Sequence, residues 1–294
     1  MTDALQRVSL STGVELDVQV AGSRDRPAVI LLHGFPESHR TWRDVVPELA
    51  RDHFVLAPDQ RGYARSSKPA GVEHYAPDRI VADLLALADV FDLDRFTLVG
   101  HDWGGAIAWM AALQHPDRIA RLVIVNAPHP LVFQRSLYDD PAQRAASQYI
   151  RRFRDTSLDG GLIGKGLEAF FSSTFAQVLT SAVVGKDKAA YLDEWGQPGA
   201  MTAMLNWYRA SAVVVPEPGE DPPRPAFLDA PFPPVTPPTL VIWGMADKAL
   251  LPVQMDGLAA LVPDLTIARV EGAGHFVPWE DAPAVLAAMR HWGI

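Results

Sequence analysis

The stretch FTLVGHDWGGAIAWMAAL, residues 96–113, decides how the rest of the chain is interpreted. Its first four residues form an apolar run typical of a buried strand, and its second half is a small-residue helix that Pro116 ends. Between them, Gly100-His101-Asp102-Trp103-Gly104 has the form of a glycine-flanked nucleophile, the sharp strand-to-helix turn at the carboxyl edge of a sheet. The glycines are needed because the chain approaches itself closely there, where a Cβ would collide.

The residue at the centre of this turn is Asp102, at a position where serine is the usual occupant. Serine suits attack on a carbonyl group, whereas a carboxylate suits displacement at a saturated carbon and forms an ester that water must then cleave. An aspartate beside glycines can also simply cap the following helix. The turn alone leaves both interpretations open, so the choice between them depends on the motifs that accompany it.

The composition is that of a globular protein, with 48% hydrophobic and 21% charged residues in a chain of 294. The 35 acidic and 26 basic residues give a formal net charge of -9 without a basic stripe, so nucleic acid and anionic membrane are poor candidate partners. The chain has no cysteine, which excludes disulfide and thiolate chemistry and fits a reducing compartment. With neither a leader pattern nor an apolar run of membrane-spanning length, we expect a cytoplasmic protein.

The apolar pattern predicts a mainly parallel sheet that begins with an antiparallel hairpin. Residues 8–20 alternate around Thr12-Gly13 as a hairpin does, and the continuous apolar runs that follow are typical of strands covered on both faces. Apolar residues at 80, 84, 87 and 91 predict a helix face packed on the sheet, and a last helix is expected over Ala282–Trp292. The six runs are Ala28–Leu32, Phe54–Ala57, Phe96–Val99, Leu122–Val125, Leu240–Trp243 and Leu265–Val270.

The alternation of strands and helices stops between residues 128 and 234. This segment is rich in aromatic residues and helical patches, and it leads into the proline-crowded stretch Pro216–Pro238, which suits an extended path over the surface. We predict a helical cap, residues 128–234, inserted between the sixth and seventh strands and lying over the aspartate turn. Residues 1–127 and 235–294 then form an α/β core, an eight-stranded sheet with helices on both faces.

Two loops at the carboxyl ends of predicted strands complete a catalytic set with Asp102. Asp247 ends the motif VIWGMAD after the seventh strand, and His275 lies in GAGHF after the eighth. The chain order nucleophile, acid, histidine is that of α/β-hydrolase triads. A neutral imidazole can take a proton from water, and a carboxylate on its other nitrogen orients it. We therefore predict Asp102 as the nucleophile, Asp247 as the acid and His275 as the base.

Two more motifs follow the first two parallel strands. In LLHGFPE, residues 31–37, the backbone N–H of Phe35 is a candidate oxyanion-hole donor, with the N–H of Trp103 as the second. Without the aspartate turn, an ordinary Gly-Pro turn would be the simpler interpretation of this loop. In DQRGY, residues 59–63, we interpret the aspartate and arginine as a structural ion pair and assign them no chemistry.

These motifs together resemble the epoxide hydrolases, a family of the α/β-hydrolase superfamily, over nearly the whole chain. The resemblance implies an α/β-hydrolase fold and hydrolysis of an apolar epoxide to a vicinal diol, with no metal or organic cofactor. It also implies that Asn126, after the sixth strand, cannot replace Asp247 as the acid, because an amide cannot hold that charge. The matching motifs are residues 33–37, 59–63, 100–105 and 126–130.

In the family that the chain resembles, two cap tyrosines hydrogen-bond the epoxide oxygen. LNWYR, residues 205–209, matches the second tyrosine motif closely and indicates Tyr208, whereas QYIRRF, residues 148–153, is a weaker match that indicates Tyr149. A phenol suits this role because it is a neutral donor at pH 7 for the alkoxide that ring opening produces. The alternative for either tyrosine is aromatic packing. Candidates for an apolar substrate pocket are Trp109, Phe153 and Trp207, together with Phe170 and Phe171.

Three other functions remain open at this point. Haloalkane dehalogenases share the aspartate and could use the indole N–H of Trp103, but their first loop commonly carries asparagine where this chain has Phe35. Fluoroacetate dehalogenases place arginines beside the nucleophile, where this chain has Trp103 and Ala106. A non-catalytic binding protein on the same scaffold would require a broken triad, and no member is missing. The sequence does not indicate which epoxide is the substrate or whether the chain is a monomer or a homodimer.

Overall fold

The protein is described by a computed structural model, in which residues 5–176 and 184–294 are placed. The described residues form one eight-stranded sheet with the spatial order β1-β2-β4-β3-β5-β6-β7-β8. The first two strands are antiparallel to each other and β2 is antiparallel to β4, whereas every pairing from β4 to β8 is parallel. The strands are β1 Leu5–Ser9, β2 Glu15–Ala21, β3 Ala28–Leu32, β4 Phe54–Pro58, β5 Phe96–His101, β6 Ile119–Val125, β7 Thr239–Gly244 and β8 Leu265–Val270.

Helices cover both faces of this sheet. Alternate residues of β3 show the division, because Ile30 and Leu32 pack in one apolar core while Val29 and Leu31 pack in the other. The first core includes α2 and α3, and the second includes α1, α10 and α11. The helices of the core are α1 Val46–Leu49, α2 Pro77–Val90, α3 Trp103–Gln114, α10 Val277–Glu280 and α11 Ala282–His291.

The described part of the predicted cap is helical and lies between β6 and β7 in the chain. Its last part, from 211 to 234, contains a single short 3-10 turn at Ala226–Leu228 and otherwise no helix or strand. Residues 177–183 of the predicted cap lie outside the described residues. The helices are α4 Pro130–Asp139, α5 Pro141–Ala146, α6 Gln148–Arg154, α7 Lys165–Thr174, α8 Val184–Trp195 and α9 Ala200–Ala210.

Indole hydrogen bonds fasten these helices to the loops of the core. Trp195 donates its Nε1–H to the carbonyl of Pro36 at 2.7 Å, and Trp207 donates to the carbonyl of Arg61 at 3.0 Å. Both acceptors lie in loops that follow strands at the carboxyl edge of the sheet. The helical segment is therefore held over that edge, where the predicted catalytic loops end.

The α/β-hydrolase fold predicted from the sequence is confirmed, and two details of the prediction are wrong. β8 is an edge strand whose residues are mostly half-exposed, so it is not covered on both faces as its apolar run suggested. Asp59 and Arg61 do not pair with each other. Asp59 accepts from His39, and the guanidinium of Arg61 bonds Asp83 on α2 through two contacts of 2.7 Å. No helix in residues 5–176 and 184–294 is both long and apolar enough to cross a membrane.

Candidate active site

The turn between β5 and α3 holds Asp102 in a rare backbone conformation, with φ 50° and ψ -119°. Such a conformation is strained for any residue with a side chain and persists because the surroundings enforce it. The neighbouring glycines permit it. A Cβ built on Gly34 would lie 2.4 Å from the Cβ of Asp102, and one on Gly104 would lie 2.3 Å from the carbonyl oxygen of Leu32. Close backbone approach, as the sequence pattern predicts, presents the carboxylate at the sheet edge.

The two oxygens of the Asp102 carboxylate have different neighbours. Oδ1 accepts a hydrogen bond of 2.7 Å from the backbone N–H of Phe35, while Oδ2 lies 3.5 Å from Nε2 of His275. Burial alone would raise the pKa of this carboxyl group, but the hydrogen bond and charge of His275 lower it below its ordinary value. Asp102 is therefore ionised at neutral pH, and its side chain is 10% exposed, which suits a nucleophile facing a pocket.

Asp247 holds the opposite side of the His275 ring. Its Oδ2 lies 2.8 Å from Nδ1 of His275, and its Oδ1 accepts the backbone N–H groups of Ala249 and Leu250. The amide of Asn126 donates to the same Oδ2 at 2.8 Å. Burial raises the pKa of Asp247, yet these bonds and the charge of His275 hold it below its usual range. The fully buried carboxylate thus fixes the ring so that Nε2 faces Asp102.

His275 lies between two carboxylates, and its pKa reflects both of them. Burial alone would lower the pKa of the imidazole, but the charges and hydrogen bonds of Asp247 and Asp102 raise it well above its ordinary value. The ring is therefore an imidazolium while Asp102 is charged. Anything that neutralises Asp102 removes one of the two raising influences and lowers the pKa of His275 again.

Three residues that sequence reasoning left without a role hold the His275 loop. Nε2 of His101 lies 2.9 Å from the carbonyl oxygen of His275. Nδ1 of the same ring lies 2.8 Å from Oε2 of Glu37. Glu280 accepts the N–H groups of the residues on either side of His275, at 2.6 and 2.9 Å. His101 and Glu37 were within the quoted motifs, but those motifs give no sign that the two side chains meet. No sequence motif at Glu280 indicates its role, because the N–H groups that it accepts belong to a neighbouring turn.

Above Asp102 and His275 lies a cavity of about 870 Å³, lined by residues of the core loops and of the cap. Tyr149 and Tyr208 both line it, with ring centroids 6.1 Å apart. Burial and the charge of Asp102 raise the pKa of both phenols, so their hydroxyl groups stay protonated at neutral pH. The structure therefore brings the two predicted tyrosines, the predicted nucleophile and the predicted base to one cavity.

The structure places only some of the residues predicted for the apolar pocket at this cavity. Phe35, Phe153 and Phe170 line the cavity, but Trp109, Phe171 and Trp207 are not among its lining residues in the described part of the chain. Trp109 is fully buried behind the turn and donates its Nε1–H to the carbonyl of Ala127. Phe171 packs inside the cap against Phe175 and Trp195, whereas Trp207 packs between cap and core, against Tyr63 and Trp103. Each faces away because its helix turns a different side to the cavity.

Trp103 is the remaining predicted site residue. Trp103, the second predicted oxyanion-hole donor, is the first residue of α3, so its N–H belongs to the first turn of that helix and lies next to Asp102. Its ring packs edge-on against Tyr208, with centroids 5.1 Å apart.

Within residues 5–176 and 184–294, no three histidine or acidic side chains are grouped as a metal site would require.

A nucleophile turn, a carboxylate-oriented histidine and a backbone donor at the carboxyl edge of a mainly parallel sheet define a hydrolase of the α/β-hydrolase fold class. A family model described as alpha/beta hydrolase fold matches residues 27–282. Epoxide hydrolase A of Mycobacterium tuberculosis is 30% identical over 97% of this chain and 95% of its own. The chain belongs to the epoxide hydrolase family within that class.

Two further proteins are similar to this chain over nearly its whole length. The AB hydrolase superfamily protein YfhM of Bacillus subtilis is 32% identical over 94% of this chain and 93% of its own. A solved structure from a study of novel epoxide hydrolases in metagenomes from hot environments is 46% identical. It covers 99% of each chain and superposes with a TM-score of 0.89.

Proposed function

We propose that this protein hydrolyses an epoxide to a vicinal diol through a covalent ester on Asp102. The observation that carries the proposal is the split environment of the Asp102 carboxylate, with Oδ1 on the N–H of Phe35 and Oδ2 near His275, in a cavity that also contains two phenols. Family membership supports the substrate class, and the geometry supports the roles of the residues.

In the first step, Oδ2 of Asp102 attacks one ring carbon, and the bond between that carbon and the epoxide oxygen breaks. The oxygen leaves as an alkoxide, which is a poor leaving group unless it is hydrogen-bonded or protonated. Tyr149 and Tyr208 supply those donors from the cap. One of the two phenols gives the alkoxide a proton, and the phenolate regains a proton from His275 as the charge of Asp102 is lost. The product is a hydroxyalkyl ester of Asp102 whose carbonyl oxygen, Oδ1, already accepts the N–H of Phe35.

The second step hydrolyses this ester. Esterification removes the charge of Asp102, so the pKa of His275 falls and the neutral ring becomes available as a base. His275 takes a proton from water, and the resulting hydroxide adds to the carbonyl carbon of the ester. The N–H groups of Phe35 and Trp103 stabilise the tetrahedral oxyanion. Its collapse breaks the bond to the diol oxygen, which receives the proton from His275, and leaves Asp102 as a carboxylic acid. Transfer of that acid proton to His275 restores the carboxylate and the imidazolium.

We further propose that residues 128–234 act as a cap that completes the cavity and that residues 1–127 and 235–294 form the catalytic core. Tyr149 and Tyr208 enter the cavity from α6 and α9 of the cap, whereas the triad comes from loops of the core. Neither part would then be active alone. The cytoplasmic location expected from the sequence stays a prediction.

The proposal is tested by a single turnover of a simple aryl epoxide in water enriched in heavy oxygen, with enzyme in excess. The first diol should lack the label, because its new oxygen comes from the Asp102 carboxylate, and the label should appear in the enzyme instead. A labelled first diol would mean direct attack by water and would contradict the covalent mechanism. Haloalkanes should release little halide under the same conditions, whereas strong halide release would favour the dehalogenase alternative.

A further inference from the structure

One side chain of the cap bonds the loop that carries the acid of the triad. Gln143 lies on α5 and is fully buried. Its Oε1 accepts the backbone N–H of Leu251 at 2.8 Å, and its Nε2–H donates to the carbonyl of Ala249 at 2.8 Å. The amide thus holds the backbone on both sides of Leu250, as a neighbouring strand would.

The segment that Gln143 bonds is also the segment that holds Asp247. Oδ1 of Asp247 accepts the backbone N–H groups of Ala249 and Leu250 at 2.8 and 2.9 Å. Oδ2 of the same carboxylate orients the ring of His275. A shift of this segment would therefore move the carboxylate and, with it, the imidazole.

The same amide also holds the helix that carries Tyr149. Nε2 of Gln143 donates a second hydrogen bond, of 2.9 Å, to Oγ of Ser147, the residue that precedes α6. Tyr149 is the second residue of α6 and lines the cavity, as does Ala249 in the loop of Asp247. The two hydrogens of one buried amide are thus divided between the tyrosine helix and the acid loop.

A second buried glutamine of the cap makes a similar pair of backbone bonds elsewhere. Gln134 on α4 donates its Nε2–H to the carbonyl of Val214 at 2.8 Å, and its Oε1 accepts the N–H of the same residue at 2.9 Å. Val214 lies in the irregular segment after α9 and is not among the described residues that line the cavity. Replacement of either glutamine removes similar bonds, but only the bonds of Gln143 reach catalytic groups.

We propose that Gln143 is a positioning residue for both steps of the reaction, because it fixes the Asp247 loop and the Tyr149 helix relative to each other. This inference rests on the proposed epoxide hydrolysis and adds a residue to it. In the first step, the link holds the phenol of Tyr149 at the epoxide oxygen. In the second step, it holds Asp247 against Nδ1 of His275. Small displacements of such groups slow catalysis strongly.

Gln143→Met tests this proposal, because methionine has a similar length but no amide. In single turnovers of a simple aryl epoxide, the variant should slow both alkylation and ester hydrolysis by about tenfold. Gln134→Met is the matched control, and both of its rates should stay within about twofold of the wild type. Rapid quenching followed by intact-protein mass spectrometry gives the rates, at a temperature where all proteins are folded. Equal slowing in the two variants would overturn the inference.

Two double variants separate positioning from a general structural effect. In an Asp247→Asn background, which lacks the charge that Gln143 helps to place, adding Gln143→Met should slow ester hydrolysis by less than about twofold. In a Tyr149→Phe background, which lacks the phenol, it should slow alkylation by less than about twofold. A purely structural role would reduce each rate by the same factor in every background, and that result would overturn the inference.

Hydrogen exchange separates this inference from the proposed function, since it needs no turnover. The amide hydrogens of Ala249 and Leu250 should exchange at least about tenfold faster in Gln143→Met, but at the wild-type rate in Gln134→Met. Nuclear magnetic resonance measures both residues. Unchanged exchange in Gln143→Met would overturn the inference and leave epoxide hydrolysis in place.

Absence of diol from every epoxide offered to the wild-type protein would overturn the proposed function. In that case, faster exchange at Ala249 and Leu250 in Gln143→Met alone would still support the link between the acid loop and the tyrosine helix. Exchange at the wild-type rate would overturn that link as well.

Discussion

The two walls of the cavity are held in different ways. The core wall contains Asp102 and His275, and the carboxylate of Asp247 is buried behind the imidazole. Backbone N–H groups at 2.6 to 2.9 Å fix the two carboxylates and the loop of His275. The cap wall contains Tyr149 and Tyr208, which contact neighbouring rings, with centroids 5.0 to 6.1 Å apart. Directional hydrogen bonds define a position more narrowly than edge-on ring packing does.

This difference fits the division of chemistry between the walls. Ester formation and hydrolysis require the carboxylate, the imidazole and the oxyanion donor to be aligned closely, because misplacement of reacting groups slows catalysis strongly. Donation to an alkoxide tolerates more variation, and the cap wall must also accept the substrate's carbon skeleton. We expect substitutions in the core wall to abolish a step of the reaction. Substitutions in the cap wall should only lower the rate of one step.

The largest effect should follow Asp102→Ala. Without a nucleophile no ester can form, so kcat/KM for diol formation should fall at least about 10⁴-fold, the scale of losing a triad nucleophile. Diol release under single-turnover conditions measures this. A far-ultraviolet circular dichroism spectrum like that of the wild type would exclude misfolding. Diol formation within about tenfold of the wild-type rate would mean that the core wall does not supply the nucleophile.

His275→Gln should give the next largest effect and should act on the second step alone. Attack by a carboxylate needs no base, so the variant should form the ester but hydrolyse it about 10³-fold more slowly. The trapped ester appears in intact-protein mass spectrometry as an increase equal to the mass of the substrate. If the variant is not alkylated, the role assigned to His275 is wrong.

The pH dependence of wild-type ester hydrolysis checks the same assignment. Protonated His275 cannot act as a base, so below the pKa of this residue in the ester the rate should fall about tenfold for each unit of pH. That pKa should lie below the pKa in the free enzyme, because esterification removes the charge of Asp102. Rapid-mixing measurements of ester hydrolysis give the pKa of His275 in the ester, and a nuclear magnetic resonance titration of its imidazole gives the pKa in the free enzyme. Identical pKa values of His275 in the free enzyme and in the ester would contradict this charge effect.

Substitutions in the cap wall should have smaller effects on the rate, and these effects should be divided between Tyr149 and Tyr208. Tyr149→Phe and Tyr208→Phe should each slow alkylation roughly tenfold to a hundredfold, because each removes one hydrogen bond to a developing charge. The double variant should lose nearly all epoxide turnover. Rapid quenching followed by intact-protein mass spectrometry measures the rate of alkylation. Loss of activity in Tyr208→Phe alone would show that Tyr149 has only a packing role.

The same contrast explains what the sequence could predict. Short motifs at strand ends place Asp102, Phe35 and His275, because the turn chemistry and the parallel sheet determine where those residues lie. Trp109 and Trp207 were wrongly expected in the pocket, since the direction of a helical side chain depends on how distant elements pack. Likewise, the edge position of β8 depends on strand order, which an apolar run does not encode.

The smallest effect on catalysis is expected for Trp109→Phe, although this residue lies close behind the catalytic turn. Its indole is fully buried and donates to the carbonyl of Ala127, so the change should lower the free energy of unfolding by about 1–3 kcal/mol. Because Trp109 does not line the cavity, kcat/KM should stay within about twofold of the wild type at a temperature where both proteins are folded. Urea unfolding and steady-state assays measure the two quantities. A large change in substrate preference, with unchanged stability, would show that the side chain of Trp109 contacts the substrate and lines the cavity. Loss of stability alone would confirm that residues packed beneath the core wall support the fold and leave substrate selection to the cap.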